Sequence, residues 1–182
     1  SGLEQALWDI AGKRHGVPVH ELLGGACRER IRVYANGWYG HGDPAEYAAR
    51  ARETVARGFT ALKFDPFPGP WRTHISREAE EQAVATVAAV REAVGSEIDL
   101  LIEVHRRLAP MHAVSIARAI TPYRPFWYEE PVSSTNLEAL AECRRQIGIP
   151  VVTGEELYTR AEFRRVFELR AADIINPDVC NC

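Results

Sequence analysis

The chain has 182 residues, 46% hydrophobic and 26% charged, which is ordinary globular composition with enough length to bury a sizeable core. Its formal net charge of −3 has no basic block behind it, so nucleic acid or an anionic membrane would find little to hold. No apolar run approaches the roughly 20 residues that span a bilayer, and Ser1-Gly2-Leu3-Glu4 does not read as a signal peptide, so a cytoplasmic protein without a membrane partner is expected.

The opening segment has helical periodicity, with Leu3, Leu7, Ile10 and Ala11 on one side, and stops near Gly16-Val17-Pro18. A second short helical piece around Glu21-Leu22-Leu23 ends at Gly24-Gly25, a typical left-handed C-cap. Ile31-Arg32-Val33-Tyr34-Ala35 reads as the first strand. A helix from Pro44 to Arg57 follows, with Asp43 as N-cap and Gly58 as its stop, and then the strand Phe59 to Asp65. Pro66 to His74 is rich in proline and must be an irregular loop, of the kind that often covers an active site when it follows a strand. Ser76 opens a helix that runs to Val94 and ends at Gly95. Three further strand and helix pairs follow: a strand at Leu100 and a helix from about Pro110 to Thr121; a strand to Glu129 and a helix from Asn136 to Ile147; a strand to Gly154 and a helix from Thr159 to Leu169. Ala172 to Asn176 is the last strand.

This order gives six strand candidates alternating with helices, which argues an α/β fold with a parallel sheet. Three acidic residues end short apolar runs: Glu103 after Leu100-Leu101-Ile102, Glu129 after Phe126-Trp127-Tyr128, and Glu155 after Val151-Val152-Thr153-Gly154. The two intervals between them are both 26 residues, about one strand, one helix and two short loops. A doubly wound open sheet would spread three such strand ends along a line, whereas a (β/α) barrel brings them to one axis. The barrel is therefore preferred, and its gathered oxygen ligands suit a hard divalent cation such as Mg²⁺. Cys27, Cys143, Cys180 and Cys182 lack metal-knuckle spacing and read as reduced, structural thiols.

The trio of Glu103 in Ile-Glu-Val-His, Glu129 in Tyr-Glu-Glu-Pro and Glu155 in Gly-Glu-Glu resembles the metal triad of the enolase superfamily. The similarity is greatest to the mandelate racemase subgroup and its acid-sugar dehydratases of the galactonate dehydratase type. It covers nearly the whole chain. Leu3 to Lys13 and Glu21-Leu22-Leu23-Gly24-Gly25 are similar to the segment leading into the barrel, which divides the chain into a helical lead-in, 1–30, and a barrel part, 31–182.

The resemblance implies Mg²⁺ held by Glu103, Glu129 and Glu155, with Glu130 and Glu156 as runners-up, because neighbours on a strand point opposite ways. It implies abstraction of the proton α to a sugar-acid carboxylate and stabilisation of the resulting enediolate, giving a 2-keto-3-deoxy acid. His105, two residues after Glu103 and so on the same strand face, matches the family's general acid; a solvated loop histidine is the alternative. Lys63 would support the metal ligands or the substrate carboxylate, or be a surface lysine. Asp65 stands where many racemases of the subgroup have a second lysine, which argues against a two-base racemase and leaves it a substrate-binding role. Asp178 in Asn176-Pro177-Asp178 matches the aspartate that orients a catalytic histidine, or is a turn residue. Asn36, Trp38, Tyr39 and His41, with Trp71 and His74, are candidates to line the pocket together with Glu156, though loop aromatics more often pack. Glu103 stands where many members have aspartate, one methylene shorter.

The fold expected is thus a partial TIM-type barrel of about six parallel strands, without the family's amino-terminal capping domain and last strands. Alone, such a piece should be poorly active and prone to associate, through exposed barrel edges, into homo-oligomers. Other readings remain: a racemase or epimerase of the same superfamily, an aldolase with Lys63 as Schiff base, or a divalent-cation-binding module without catalysis.

Overall fold

The computed structural model describes every residue except His41, Pro68, Pro70, Trp71 and Arg72. The expected aromatic contributions of His41 and Trp71 therefore lie outside the described residues. Five strands form one parallel sheet: β1 (Ala61–Phe64), β2 (Asp99–Glu103), β3 (Trp127–Glu129), β4 (Val151–Thr153) and β5 (Ile174–Ile175). Their order in the sheet is their order in the chain. Every crossover thus steps to the next neighbour in one direction, as in the wall of a (β/α) barrel; a doubly wound sheet would reverse.

Two helices, α1 (Gly2–His15) and α2 (Val19–Leu22), precede the sheet, and α3 (Pro44–Ala56) leads into β1. The crossovers carry α4 (Arg77–Val94), α5 (Pro110–Ile120) with a 3₁₀ turn at Thr121–Tyr123, α6 (Leu137–Gln146) and α7 (Arg160–Leu169). The helices start where their capping residues say they should. Asp43 Oδ1 accepts from Glu46 N at 2.9 Å, Ser76 Oγ from Ala79 N at 3.2 Å and Asn136 Oδ1 from Ala139 N at 3.0 Å. Thr159 and Glu162 form a reciprocal capping box at α7. These caps end the loops that leave the strands' C-terminal ends, and so fix the length of chain available around the site.

Strand alternation sorts the side chains. Leu62 and Phe64, Leu100 and Ile102, Tyr128 and Val151 turn into the core that the helices cover, meeting Val87, Val90, Ile116, Ile120, Leu140 and Val166. Each large aliphatic chain fully buried there contributes about 1.5–3 kcal/mol. The opposite parity carries Lys63, Leu101, Glu103, Glu129 and Val152, with Glu103 directly paired to Glu129 and Glu129 to Val152. Charge is thereby concentrated on one face and at one end of the sheet.

The sixth expected strand does not form. From Ile31 to Ala35 only Ala35 pairs, bridging Leu62: its N–H donates to Ala61 O at 2.9 Å and its carbonyl accepts from Lys63 N at 2.8 Å. Ala35 is also the residue of that run that is buried, while Ile31 and Val33 are 80% and 61% exposed. The β-branched run had the right composition, but at the sheet's edge Ile31 and Val33 find no cover, and Tyr34 and Arg32 make side-chain contacts, to Trp127 and Asp99, without a backbone ladder. Helix α1 forms as its periodicity demands, yet Leu3, Leu7 and Ile10 stay exposed and its buried residue is Gly12. Among the described residues, no helix is long and apolar enough to cross a membrane.

Candidate metal centre

Glu103 ends β2 and Glu129 ends β3, side by side and both buried. Glu155 reaches the same point differently. β4 stops at Thr153, and Gly154, at φ 146°, turns the chain so that Glu155, two residues past the strand, faces back. One carboxylate oxygen from each of Glu103, Glu129 and Glu155 lies within 4.8 Å of the others.

The surroundings hold these carboxylates with few spare bonds. Glu103 Oε1 accepts from Val104 N at 3.1 Å and His105 N at 2.9 Å, while Oε2 faces Lys63 Nζ at 2.7 Å. Glu129 Oε1 accepts from Lys63 Nζ at 2.5 Å and from Asn176 Nδ2 at 2.6 Å, and its Oε2 is buried with no hydrogen-bond partner among the described residues. Arg106 pairs with Glu155 and, through Nε at 3.2 Å, with Glu156. Beneath Glu155 lies Glu130, fully buried and left-handed at φ 48°; its Oε1 accepts from Thr153 Oγ1 at 2.6 Å and Gly154 N at 3.0 Å. Glu130 is therefore the strut of the turn that aims Glu155, and Glu129 the member of the pair that faces the triad.

Two buried carboxylates sharing one ammonium set the electrostatics. Burial works against charge on Lys63, but Glu103 and Glu129 outweigh it and hold the ammonium above the usual lysine range. Burial, then the neighbouring Glu103, push Glu129 up to about 7, although Lys63 pulls the other way. Burial also raises Glu130 against the hydrogen bonds from Thr153 and Gly154. Three converging carboxylates, with no sulfur or imidazole among them, suit a hard divalent cation rather than zinc.

His105 is not on the strand face that the i, i+2 spacing suggests. β2 ends at Glu103, and His105 and Arg106 sit in a turn at φ 57° and 62°, held because Glu103 Oε1 accepts the N–H groups of Val104 and His105. Its Nδ1 lies 2.9 Å from Asp65 Oδ2. The bond to Asp65 raises the His105 pKa; burial opposes it, and Glu103 adds to it. Asp65, expected to bind substrate, spends its carboxylate on protein groups: His105, Arg107 Nη2 at 2.5 Å and Phe67 N at 3.0 Å.

The other predicted residues scatter. Trp38 gives Nε1–H to Lys63 O at 2.9 Å and packs edge-on to Phe64 at 5.4 Å, a scaffold role, while Asn36 is exposed with Oδ1 accepting from Gly37 N at 2.9 Å. Glu156 is tied to Ser134 Oγ at 3.0 Å as well as to Arg106. Asp178 caps its own turn, accepting from Cys180 N at 2.9 Å and Asn181 Nδ2 at 2.6 Å, and is not one of the converging carboxylates. His74 stacks edge-on against His112 at 5.8 Å. A cavity of about 530 Å³ opens beside His105, lined also by Tyr39, Tyr47, Asp65 and Arg107.

Sequence reasoning passed over Asn176, Arg106 and the strut role of Glu130. Asn176 had a signal: it is the polar residue at the end of the last predicted strand, as Glu103 and Glu129 are of theirs. Arg106 and Glu130 had none, because their partners lie 49 and 23 residues away.

Comparison with known proteins agrees with this geometry. Residues 46–182 match the enolase C-terminal domain-like family, and residues 1–24 match the mandelate racemase/muconate lactonizing enzyme N-terminal domain. Over 182 residues the chain is 44% identical to the D-gluconate dehydratase of Thermoproteus tenax and 37% identical to the D-gluconate/D-galactonate dehydratase of Picrophilus torridus. It covers 36% and 46% of those proteins, so it spans less than half the length of the curated relatives it matches. Among solved structures, a mandelate racemase/muconate lactonizing enzyme-like protein of a Roseovarius species superposes with a TM-score of 0.91 at 39% identity, covering 100% of this chain and 48% of that one. One from Rubrobacter xylanophilus gives 0.87 at 44% identity, covering 97% and 50%. The chain belongs to the mandelate racemase/muconate lactonizing enzyme group of the enolase superfamily, residues 46–182 forming its C-terminal barrel-type domain.

Proposed function

We propose that the protein is a Mg²⁺-dependent dehydratase of an aldonic or aldaric sugar acid. The observation that carries this reading is the convergence of Glu103, Glu129 and Glu155 at one end of a parallel sheet with His105 on the adjoining turn. The dehydratase names of the Thermoproteus tenax and Picrophilus torridus relatives agree with it. A divalent cation held by the triad would supply positive charge to the substrate carboxylate as its α-proton leaves.

The chain's own residues hold the site together and supply its acid. Lys63 keeps Glu103 and Glu129 together in a buried site where the two would otherwise repel. Asn176 holds Glu129 from the β5 side, and Arg106 holds Glu155. His105 faces the cavity with a ring that its neighbours favour protonated, as a general acid requires. The reaction balances as follows: a base takes the α-proton, the C–O bond to the β-hydroxyl breaks with its electron pair on oxygen, and that oxygen takes the His105 proton and departs as water. The enol left behind becomes the 2-keto-3-deoxy acid.

A Lys63 Schiff base is disfavoured by the same contacts. An aldolase lysine must lose its proton near neutrality, whereas Glu103 and Glu129 hold this one charged. The test is to incubate the protein, at the full length its relatives span, with Mg²⁺ and a panel of aldonic and aldaric acids and to follow 2-keto-3-deoxy acid formation. Turnover that disappears on chelation and in Glu129→Gln is expected. Exchange of the α-proton with solvent deuterium without loss of water would instead make the protein a racemase or epimerase.

A further inference from the structure

Asp65 follows β1 directly, and three of the roughly four acceptor sites of its carboxylate are taken by protein groups. Oδ1 accepts from Phe67 N at 3.0 Å, and Oδ2 accepts from Arg107 Nη2 at 2.5 Å and His105 Nδ1 at 2.9 Å. The Asp65 side chain is 14% exposed and that of its histidine partner 44%, so a fixed acceptor faces a half-open ring. A carboxylate can only accept, so Nδ1 must donate and Nε2 is the nitrogen left for the cavity that the ring lines.

The backbone of His105 is fixed by the same group of residues. Its left-handed φ of 57° is one a non-glycine residue keeps only when its surroundings require it. Glu103 Oε1 takes its N–H and that of Val104, and Arg106 N donates to Glu130 O at 2.7 Å. Arg107 closes the ring of contacts: Nε donates to Val104 O at 2.9 Å while Nη2 holds Asp65, so one guanidinium clamps the aspartate to the turn that bears the histidine.

We propose that Asp65 is a positioning residue and not a substrate ligand: clamped by Arg107, it fixes the ring plane and the donor nitrogen of His105 so that Nε2 is presented to the departing hydroxyl. The assignment of a departing hydroxyl rests on the function proposed above; the fixing of the ring does not. Many outer partners of site histidines act in this way, orienting a ring whose other nitrogen does the work.

The test uses the protein labelled with ¹⁵N at histidine, with the His105 signals identified by their loss in His105→Gln. At a pH where the ring is neutral, long-range ¹H–¹⁵N spectra should show His105 as the Nδ1–H tautomer. Asp65→Leu, which is of similar size and carries no acceptor, should shift it toward the Nε2–H tautomer. In that variant kcat should fall about 10- to 100-fold while the Kd for Mg²⁺ stays within about twofold of the parent. A wild-type His105 in the Nε2–H form would overturn the proposal whether or not the variant folds. So would an unchanged tautomer in a folded Asp65→Leu protein, or a loss of Mg²⁺ affinity in step with kcat, which would make Asp65 a support of the metal centre. If the wild-type protein dehydrates no sugar acid, the proposed function falls, and the tautomer measurements alone decide the role of Asp65.

Discussion

Replacing Lys63 by methionine keeps the length of the side chain and removes the one ammonium shared by Glu103 and Glu129. With Nζ at 2.7 and 2.5 Å from the two carboxylates, each contact carries about 6 kcal/mol of Coulomb attraction at an effective dielectric of about 20. Most of that is offset by the cost of drying three charges, so the net loss should be that of a broken buried pair, about 3–5 kcal/mol. The deficit must depend on pH, and its sign is fixed by Glu129. That carboxyl titrates at about 7 in the folded chain against 4.5 for an unperturbed glutamate, so its favourable contribution is complete below about 4.5 and is lost as pH rises through about 7. Without Lys63 the folded value rises further, so the deficit should be smaller near pH 4.5, where only the Glu103 contact is lost, and should grow as pH rises past 7. Mg²⁺ replaces the missing positive charge, so saturating Mg²⁺ should recover more stability in Lys63→Met than in the parent. Urea unfolding of both proteins at several pH values, in chelator and in Mg²⁺, reads all of this. A deficit under about 1 kcal/mol, or one equal at pH 5 and pH 8, would refute the reasoning.

Three further outcomes are expected. Because Glu129 must lose its proton to bind a cation, Mg²⁺ affinity should fall about tenfold per pH unit below about 7, with about one proton released per ion at pH 6; calorimetry in buffers of different ionisation enthalpy measures both. Gly154→Ala places a Cβ 3.1 Å from the Asn176 backbone at a φ of 146°, costing about 1–3 kcal/mol by denaturation and displacing Glu155, so Mg²⁺ binding should weaken with it. Thr153→Val removes the hydroxyl that donates to Glu130 at 2.6 Å, which should cost about 1–3 kcal/mol. Burial already raises Glu130, so losing a donor raises it further and the penalty should grow as pH rises.

Much of the fold and part of the site were legible in the sequence, for reasons that differ by residue. The 26-residue intervals worked because in a parallel sheet built of sequential crossovers equal spacing puts strand ends at equal height, and Glu103 and Glu129 are indeed register partners. Glu155 kept the interval without keeping the register, since its carboxylate is aimed by the Gly154 turn and the Glu130 strut. His105 was found from its neighbour Glu103, but period-2 logic failed one residue past the strand, where Glu103 itself bends the backbone. Ile31 to Tyr34 had strand composition without a neighbour to pair with, and composition cannot supply one. What stayed invisible were contacts between turns far apart in sequence: Asp65 with His105, Arg106 with Glu155, Glu130 with Thr153.

Glu103 and Glu129 at their strand ends and Glu155 on the turn after β4 should form one cation site. Calorimetric titration of Mg²⁺ into the protein and into its Glu129→Gln variant tests it most directly. One ion should bind to the parent and none to the variant, because the amide removes the charge of a buried carboxylate whose Oε2 has no hydrogen-bond partner among the described residues. A folded parent that takes up no Mg²⁺, or a variant that binds as tightly as the parent, would contradict it.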